Sequence, residues 1–569
     1  MATIVSAPGK VLLTGGYLVL DPAYTGFVLA TDARFYTSVT SRSSTGAPLI
    51  RVRSPPFADA TWVYDLVLPA EAEDMAPEDA AEATRLVQHS EPNPFVSLAL
   101  LYAAQLAIER HGVARARNAL QGLDIVIAGD NAFYSHRSDG QALTLAQLQA
   151  LPPFHTHSCG LRNVHKTGLG SSAAMTTSLV GALLVHLSIV EAVRTTETLS
   201  PASLGLIHNV AQLTHCAAQG KVGSGFDVSA SVWGSQVYRR FNPALLKDIM
   251  RTEHGQRIIA PGTTTPPREP RALWPVLDPS NALWMPTAPR DATPTATEAL
   301  RAATSREDSI PRPAPLHLPP GVRLCLADVD AGSNTRTMVG QVSEWRTQNP
   351  AWAQQLYAVL AAANQSVSDG LLQLHLLHAQ DPRAYAETVS ALARVPSADW
   401  DTLGSLHASR IIDAFVAVRD AMRSVRTGMR ELGTRSGAAV EPPEMTRLLD
   451  TTLAGAPGLL GGGVPGAGGY DALFILFLSP DALTSTTRAL VPPEVCALWQ
   501  QYTQLSVGPL LCGAQAPAPA PALEKDGPDI DATPDTALHR VADAWTHARA
   551  GLVLVEAEAV PGLAALLAD

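Results

Sequence analysis

Lys166-Thr-Gly-Leu-Gly-Ser-Ser-Ala-Ala174 is the stretch on which the reading of this chain turns. Gly168 and Gly170 lack side chains, so the backbone N–H groups around them can approach an anion closely. Ser171 and Ser172 suit a helix N-terminus. The small and aliphatic run behind them contains no proline and predicts a long buried helix over Ser171–Val193. The positive end of that helix faces the glycine loop. Loop and helix together form a cradle for a polyphosphate, and the serine hydroxyls suit a magnesium ion, which prefers oxygen. The spacing is neither that of a Walker A loop nor that of a dinucleotide GxGxxG. Taken alone, Gly168–Ala173 also fits a plain turn ahead of a buried helix.

Two more glycine-rich segments lie far off in sequence. The first is Ser6-Ala-Pro-Gly-Lys-Val-Leu-Leu-Thr-Gly-Gly-Tyr-Leu-Val-Leu20 and the other is Gly461-Gly-Gly-Val-Pro-Gly-Ala-Gly-Gly-Tyr-Asp-Ala472. Ile4–Val5 and Val11–Leu13 read as two short strands around a tight turn at Pro8-Gly9. Lys10 beyond that turn reads equally as a phosphate contact or as a solvated lysine. Further strands are expected at Val28–Thr40, Trp62–Val67, Leu123–Ala128, Val322–Val329, Ala472–Leu478 and Gly551–Glu556. Helices are expected at Phe95–Glu109, entered after Asn93-Pro94, at Ser203–Gln219, and through most of 336–435. Gly223–Gly225 reads as a turn, with a new element starting at Asp227.

The 569 residues are 46% hydrophobic and 16% charged, enough apolar material for a large core without disulfides. A formal net charge of −11 argues against a nucleic-acid surface. The five cysteines form no CxxC pair and suggest reduced thiols in the cytoplasm. The N-terminus shows no signal-peptide pattern, and the apolar run near Leu179–Val193, broken by His186 and Glu191, is too short to span a bilayer. Asn364-Gln-Ser366 fits a glycosylation sequon that is not expected to be used. Residues 259–320 and about 513–535 read as Pro-rich and Ala/Pro/acidic insertions, largely irregular, with a short ordered piece expected at Ala272–Pro279. The chain divides on this reading into a nucleotide-binding domain, 1–258, the 259–320 insertion, and a C-terminal domain, 321–569.

The three glycine segments, in this order, resemble the GHMP kinases, the superfamily of galactokinase, homoserine kinase, mevalonate kinase and phosphomevalonate kinase. Within it the chain is most similar to the fungal-type phosphomevalonate kinases. The resemblance rests on Ala7-Pro-Gly-Lys-Val-Leu-Leu-Thr-Gly-Gly-Tyr-Leu-Val-Leu-Asp21, Asp130-Asn-Ala-Phe-Tyr-Ser135, Lys166 ahead of the glycines, Ala218-Gln-Gly-Lys-Val-Gly-Ser-Gly-Phe-Asp-Val228, Glu441-Pro-Pro443 and Pro465-Gly-Ala-Gly-Gly-Tyr-Asp-Ala472. It implies an α+β fold: an N-terminal α/β domain with a left-handed β-α-β crossover, a ferredoxin-like C-terminal domain, and an active site between them. It implies ATP-dependent phosphorylation of (R)-5-phosphomevalonate to the diphosphate, with Mg2+, in the mevalonate route to isoprenoids and sterols.

Residue by residue, the resemblance implies Asp227, Lys10 and Lys166 as catalytic. It implies Lys166, Gly168, Leu169, Gly170, Ser171, Ser172, Ala173, Gly466, Gly468 and Gly469 as ATP-binding. Lys10, Tyr17, Lys221, Ser224, Gly225 and Asp227 are implied to meet the acceptor, and Ser172 to bind the metal. The partners are then small molecules, with no nucleic acid or membrane; monomer and dimer are both open. Other GHMP kinases with an alcohol acceptor, and a GHMP-fold metabolite sensor without catalysis, stand as alternatives. His155-Thr-His-Ser-Cys159 reads as a surface loop rather than a metal site, and Glu441-Pro-Pro443 as a structural turn.

Overall fold

The computed structural model describes residues 2–41, 49–68, 71–138, 140–193, 198–253, 258–259, 272–285, 295–304, 312–329, 335–403, 409–483, 491–515, 538, 541–542, 545 and 551–568. The expected insertion at 513–535 lies outside them from residue 516 onward.

The first β-rich stretch is one strand, Thr3–Leu12, rather than two strands around a turn. Pro8 has no N–H to give to a ladder and Gly9 has no side chain, so the pair yields a bulge: register against Thr25–Ser41 shifts between Pro8 and Lys10. Thr25–Ser41 also pairs with Leu123–Gly129, whose other neighbour, Ile50–Arg53, runs parallel to it. The helix Pro94–His111 lies within the connection between those parallel strands, which makes it a β-α-β crossover. Asn93 caps this helix by accepting from the Val96 N–H, and Pro94 fits where no amide is needed. Thr61–Val67, Arg85–Gln88 and Ile258–Ile259 extend the sheet.

Over this sheet packs the buried helix Ser171–His186, and against that helix and Pro94–His111 packs the buried helix Pro201–Gln219. The first stops seven residues short of the expected Val193. Ser188 takes a left-handed φ of 56°, and the amides of Ile189 and Val190 turn back to the Leu184 carbonyl.

The second layer is a four-stranded antiparallel sheet in the order Leu459–Gly463, Ala472–Leu478, Val322–Val329, Val507–Pro509. With helices before the first hairpin strand and after the second, this is the βαββαβ order of a ferredoxin-like domain. The helices Thr335–Gln348, Pro350–Gln380, Pro382–Leu392 and Ser409–Ser436 fill the expected helical stretch. Asn364 is 3% exposed within the second of them, so the acceptor asparagine of the sequon is buried.

Two expectations are corrected. Described parts of 259–320 carry more order than the piece expected at Ala272–Pro279: besides the helix Trp274–Leu277 there, Ala296–Thr304 is helical, and Leu277, Trp284 and Leu300 are buried in the main core. Residues Val553–Leu554, assigned above to the C-terminal domain, pair with Val5 and Ser6 at the edge of the N-terminal sheet. Apolar alternation shows that a strand exists, but not which edge it completes.

Candidate active site

The bulge at Gly9 sets the site's first side chain. The Lys10 amide donates to the Leu169 carbonyl at 2.9 Å, which docks the glycine loop against the strand. Lys10 Nζ then reaches the Gly168 carbonyl at 2.7 Å and lies 5.5 Å from the centre of the Phe226 ring. Burial holds the Lys10 amine below its ordinary range, with the Asp227 carboxylate pulling the other way. Gly168 and Gly170 both take φ of 76°, a conformation that favours glycine. Gly170 is the residue before the first helical turn, so the opening N–H groups of Ser171–His186 face the loop.

Asp227 sits in the first turn of the helix Phe226–Trp233, which begins after Gly225 at φ of 81°. Ser231 Oγ donates to the Pro8 carbonyl at 2.8 Å and to the Asp227 carbonyl at 3.0 Å. This fastens the Asp227 helix to the strand that carries Lys10. Asp227 Oδ1 accepts from the Val228 N–H, and Oδ2 lies 4.0 Å from His215 Nε2. His215 Nε2 is also 3.0 Å from Ser172 Oγ. Burial keeps the His215 imidazole below its ordinary range, against the attraction of Asp227.

Two cavities meet at the glycine loop. One of about 490 Å³ is lined by Lys166, Ser171 and Ser172 together with Trp62, Phe95 and Tyr134. One of about 200 Å³ is lined by Lys10, Tyr17, Gly168, Ser224, Gly466 and Gly468. Gly466 and Gly468, expected on ATP, therefore line the smaller cavity. Their amides are engaged, Gly466 with the Leu12 carbonyl at 3.3 Å and Gly468 with Pro465 at 3.2 Å; the Gly469 amide bonds Val440 at 2.9 Å. The loop is a wall rather than a row of free donors. Tyr17, buried at 3% exposure, gives its hydroxyl hydrogen to the Ala467 carbonyl at 2.7 Å and holds that wall in place. The Lys221 amide bonds the Cys216 carbonyl, and its ammonium lies near enough to His215 to depress it further. The Ser224 carbonyl accepts from Tyr238.

Glu441 is structural, as the turn reading expects. Its carboxylate, 1% exposed, accepts from Arg426 Nε through both oxygens at 2.8 and 2.9 Å. His136, His155 and His157 cluster by ring contacts, with His157 stacked on Phe57. Among the described residues no group of three or more His, Cys, Asp or Glu could hold a metal. His215 was not anticipated from the sequence. The available signal was a histidine four residues ahead of Gln219 on an apolar helix leading into the Asp227 turn.

The crossover sheet, the glycine loop ahead of a buried helix, and the helix of Asp227 fastened to the strand of Lys10 are the arrangement that the resemblance to the GHMP kinases implies. No family model matches the chain. It is 34% identical over 533 residues to a phosphomevalonate kinase of Arabidopsis thaliana named peroxisomal, covering 88% of this chain and 94% of the relative. To phosphomevalonate kinase erg8 of Aspergillus fumigatus it is 33% identical over 515 residues, covering 85% and 88%. To the ERG8 phosphomevalonate kinase of Gibberella zeae it is 35% identical over 477 residues, covering 83% and 87%. The chain belongs to the phosphomevalonate kinase family.

Proposed function

We propose that the chain transfers the γ-phosphoryl group of ATP to the phosphate of (R)-5-phosphomevalonate, giving the diphosphate and ADP in the mevalonate route to isoprenoids. One observation carries this reading: a single loop borders both cavities, with Lys166, Ser171 and Ser172 on the larger and Gly168 on the smaller. A nucleotide in the larger cavity and an acceptor in the smaller would meet at that loop. The aromatic and apolar walls of Trp62, Phe95 and Tyr134 suit a base, and the helix N-terminus suits its phosphates.

In the reaction the bond between the γ-phosphorus and the bridging oxygen to ADP breaks, and a bond forms to an acceptor phosphate oxygen. That acceptor has a second pKa near ~6 and is already largely deprotonated at neutral pH. Charge compensation and alignment matter more than a strong base. Lys10 offsets the charge where the two phosphates converge. Asp227 orients the acceptor and takes any residual proton. Lys166 meets the nucleotide phosphates, and Lys221, Ser224 and Gly225 border the acceptor. Gly466, Gly468 and Gly469 shape the acceptor wall.

The residues present fit Mg2+. Ser172 Oγ and Asp227 Oδ2 are oxygen donors gathered about His215 Nε2, and the described residues offer no three-ligand cage of their own. Such a half-shell suits an ion that arrives with the nucleotide phosphates and neutralises their charge. We further place the enzyme in the cytoplasm, since its cysteines form no disulfide among the described residues. Among the described residues no helix is long and apolar enough to cross a membrane. Residues 1–258 with the 551–568 return form the nucleotide domain in this reading, and 321–515 the C-terminal one.

The test is purified protein supplied with ATP and either phosphomevalonate or mevalonate, with ADP release followed. Turnover of phosphomevalonate alone is expected, and turnover of mevalonate alone overturns the acceptor assignment.

A further inference from the structure

His215 links the two polar groups assigned to opposite sides of the transfer. Its side chain is 6% exposed, and the Phe95 ring packs 5.7 Å away centre to centre. The Gln219 amide nitrogen, one helical turn on, lies 3.0 Å from His215 Nε2 and 3.4 Å from Nδ1. Standing within reach of both ring nitrogens, that amide lies beside the ring and off the lone-pair axis of either, so it supports the imidazole without choosing its tautomer. Ser172 Oγ stands 3.0 Å from the same nitrogen. In the tautomer that leaves Nε2 without a proton, the Ser172 hydroxyl gives its hydrogen to His215. A hydroxyl fixed in that way keeps its hydrogen away from any cation and leaves oxygen lone pairs for one. Asp227 Oδ1 is engaged by the Val228 N–H, so Oδ2, 4.0 Å from the imidazole, is the oxygen that His215 spaces from Ser172.

We propose that His215 is a positioning residue for phosphoryl transfer: Nε2 takes the Ser172 hydrogen, so that Ser172 Oγ is presented as an oxygen ligand to the nucleotide-borne magnesium ion beside Asp227. This rests on the reading of Ser172 as the metal-binding serine. Groups that orient a metal ligand from behind typically change metal affinity or activity about 10- to 100-fold when removed.

The experiment measures binding of a non-hydrolysable ATP analogue by calorimetry, once with Mg2+ and once with a chelator. The ratio of the two affinities is the metal's contribution. His215→Phe keeps the ring volume against Phe95 and removes the acceptor; it should cut the ratio about 10- to 100-fold while chelated binding is unchanged. His215→Gln, which retains an acceptor at similar reach, should restore most of the ratio. Ser172→Ala should cut it at least as much as His215→Phe, and the double variant no further than Ser172→Ala. If His215→Phe does not fold, His215→Ala is read in its place, with thermal unfolding as the check. A ratio unmoved in the folded His215 variant, with Ser172→Ala still lowering it, overturns the inference and leaves the metal reading standing. Additive losses in the double variant overturn it too, because His215 would not then act through Ser172. A ratio unmoved by Ser172→Ala instead overturns the metal reading beneath it.

Discussion

Gly168→Ala and Gly170→Ala form a matched pair. Both positions take φ of 76°, so an alanine at either carries the same left-handed cost, about 1–2 kcal/mol. At about 2–4 °C per kcal/mol for a domain of about 150–250 residues, each variant should melt about 2–8 °C below the parent. The two differ in what the new methyl meets. At Gly168 nothing lies within 4 Å, whereas at Gly170 it would stand 3.0 Å from Lys10 Cε and 3.1 Å from Cγ. The lysine stem must retreat by some tenths of an ångström, and the 2.7 Å contact of Nζ with Gly168 must change with it. A misplacement of about 1 Å at a reacting group costs about 10²-fold. A smaller displacement of Lys10 should therefore lower kcat about 10- to 100-fold, or about 1.4–2.7 kcal/mol in the barrier. Gly168→Ala, whose methyl meets nothing within 4 Å, should lower kcat clearly less than Gly170→Ala does. The assay pairs steady-state kcat at saturating ATP with thermal unfolding of both variants. Equal kcat losses in the two variants, at equal melting shifts, would refute the argument that Gly170 serves Lys10.

Asp227→Asn should lower kcat by about 10²–10⁴-fold with ATP-analogue affinity nearly unchanged, measured by stopped-time turnover and calorimetry. A full-rate Asp227→Asn enzyme removes the role given to that carboxylate. Because burial lowers the Lys10 pKa, its charge is lost at a pH below that of an ordinary lysine, and kcat/KM should fall on an alkaline limb. Lys10→Arg should move that limb upward, seen in the pH profile. Glu441→Gln leaves the Arg426 guanidinium, 11% exposed, with the more exposed Asp450 as its remaining carboxylate. The loss should fall near the lower end of about 3–5 kcal/mol, read by denaturant unfolding. Val440, next to Glu441, accepts from the Gly469 amide, so the acceptor KM should rise in the same variant.

Local chemistry was legible where one segment carries its own geometry. Asn93-Pro94 and the run after it specify a capped helix, and Gly168, Gly170 and Gly225 mark left-handed positions whose neighbours could be guessed. What depended on distant partners was less legible. Pro8-Gly9 reads locally as a turn; the neighbouring strand Thr25–Ser41 converts it to a bulge. The glycines at 466, 468 and 469 are implied as ATP-binding, yet Leu12, Pro465 and Val440 take up their amides. His215 was hidden for the same reason. Its meaning comes from Ser172, 43 residues earlier in the chain, and from Asp227 beyond the next turn.

The pairing of Val5–Ser6 with Val553–Leu554 gives the molecule a schedule. Domains emerge from the ribosome N-terminal end first and tend to fold as units. Here the strand that holds Lys10, Thr3–Leu12, emerges more than 500 residues before its outer neighbour, Val553–Leu554. Until then the Thr3–Leu12 strand has Thr25–Ser41 on one side and a bare row of amides and carbonyls on the other. The nascent chain thus carries an unshielded sheet edge on the Lys10 strand until residues 553–554 follow, and an open edge of that kind is a template for pairing with another chain.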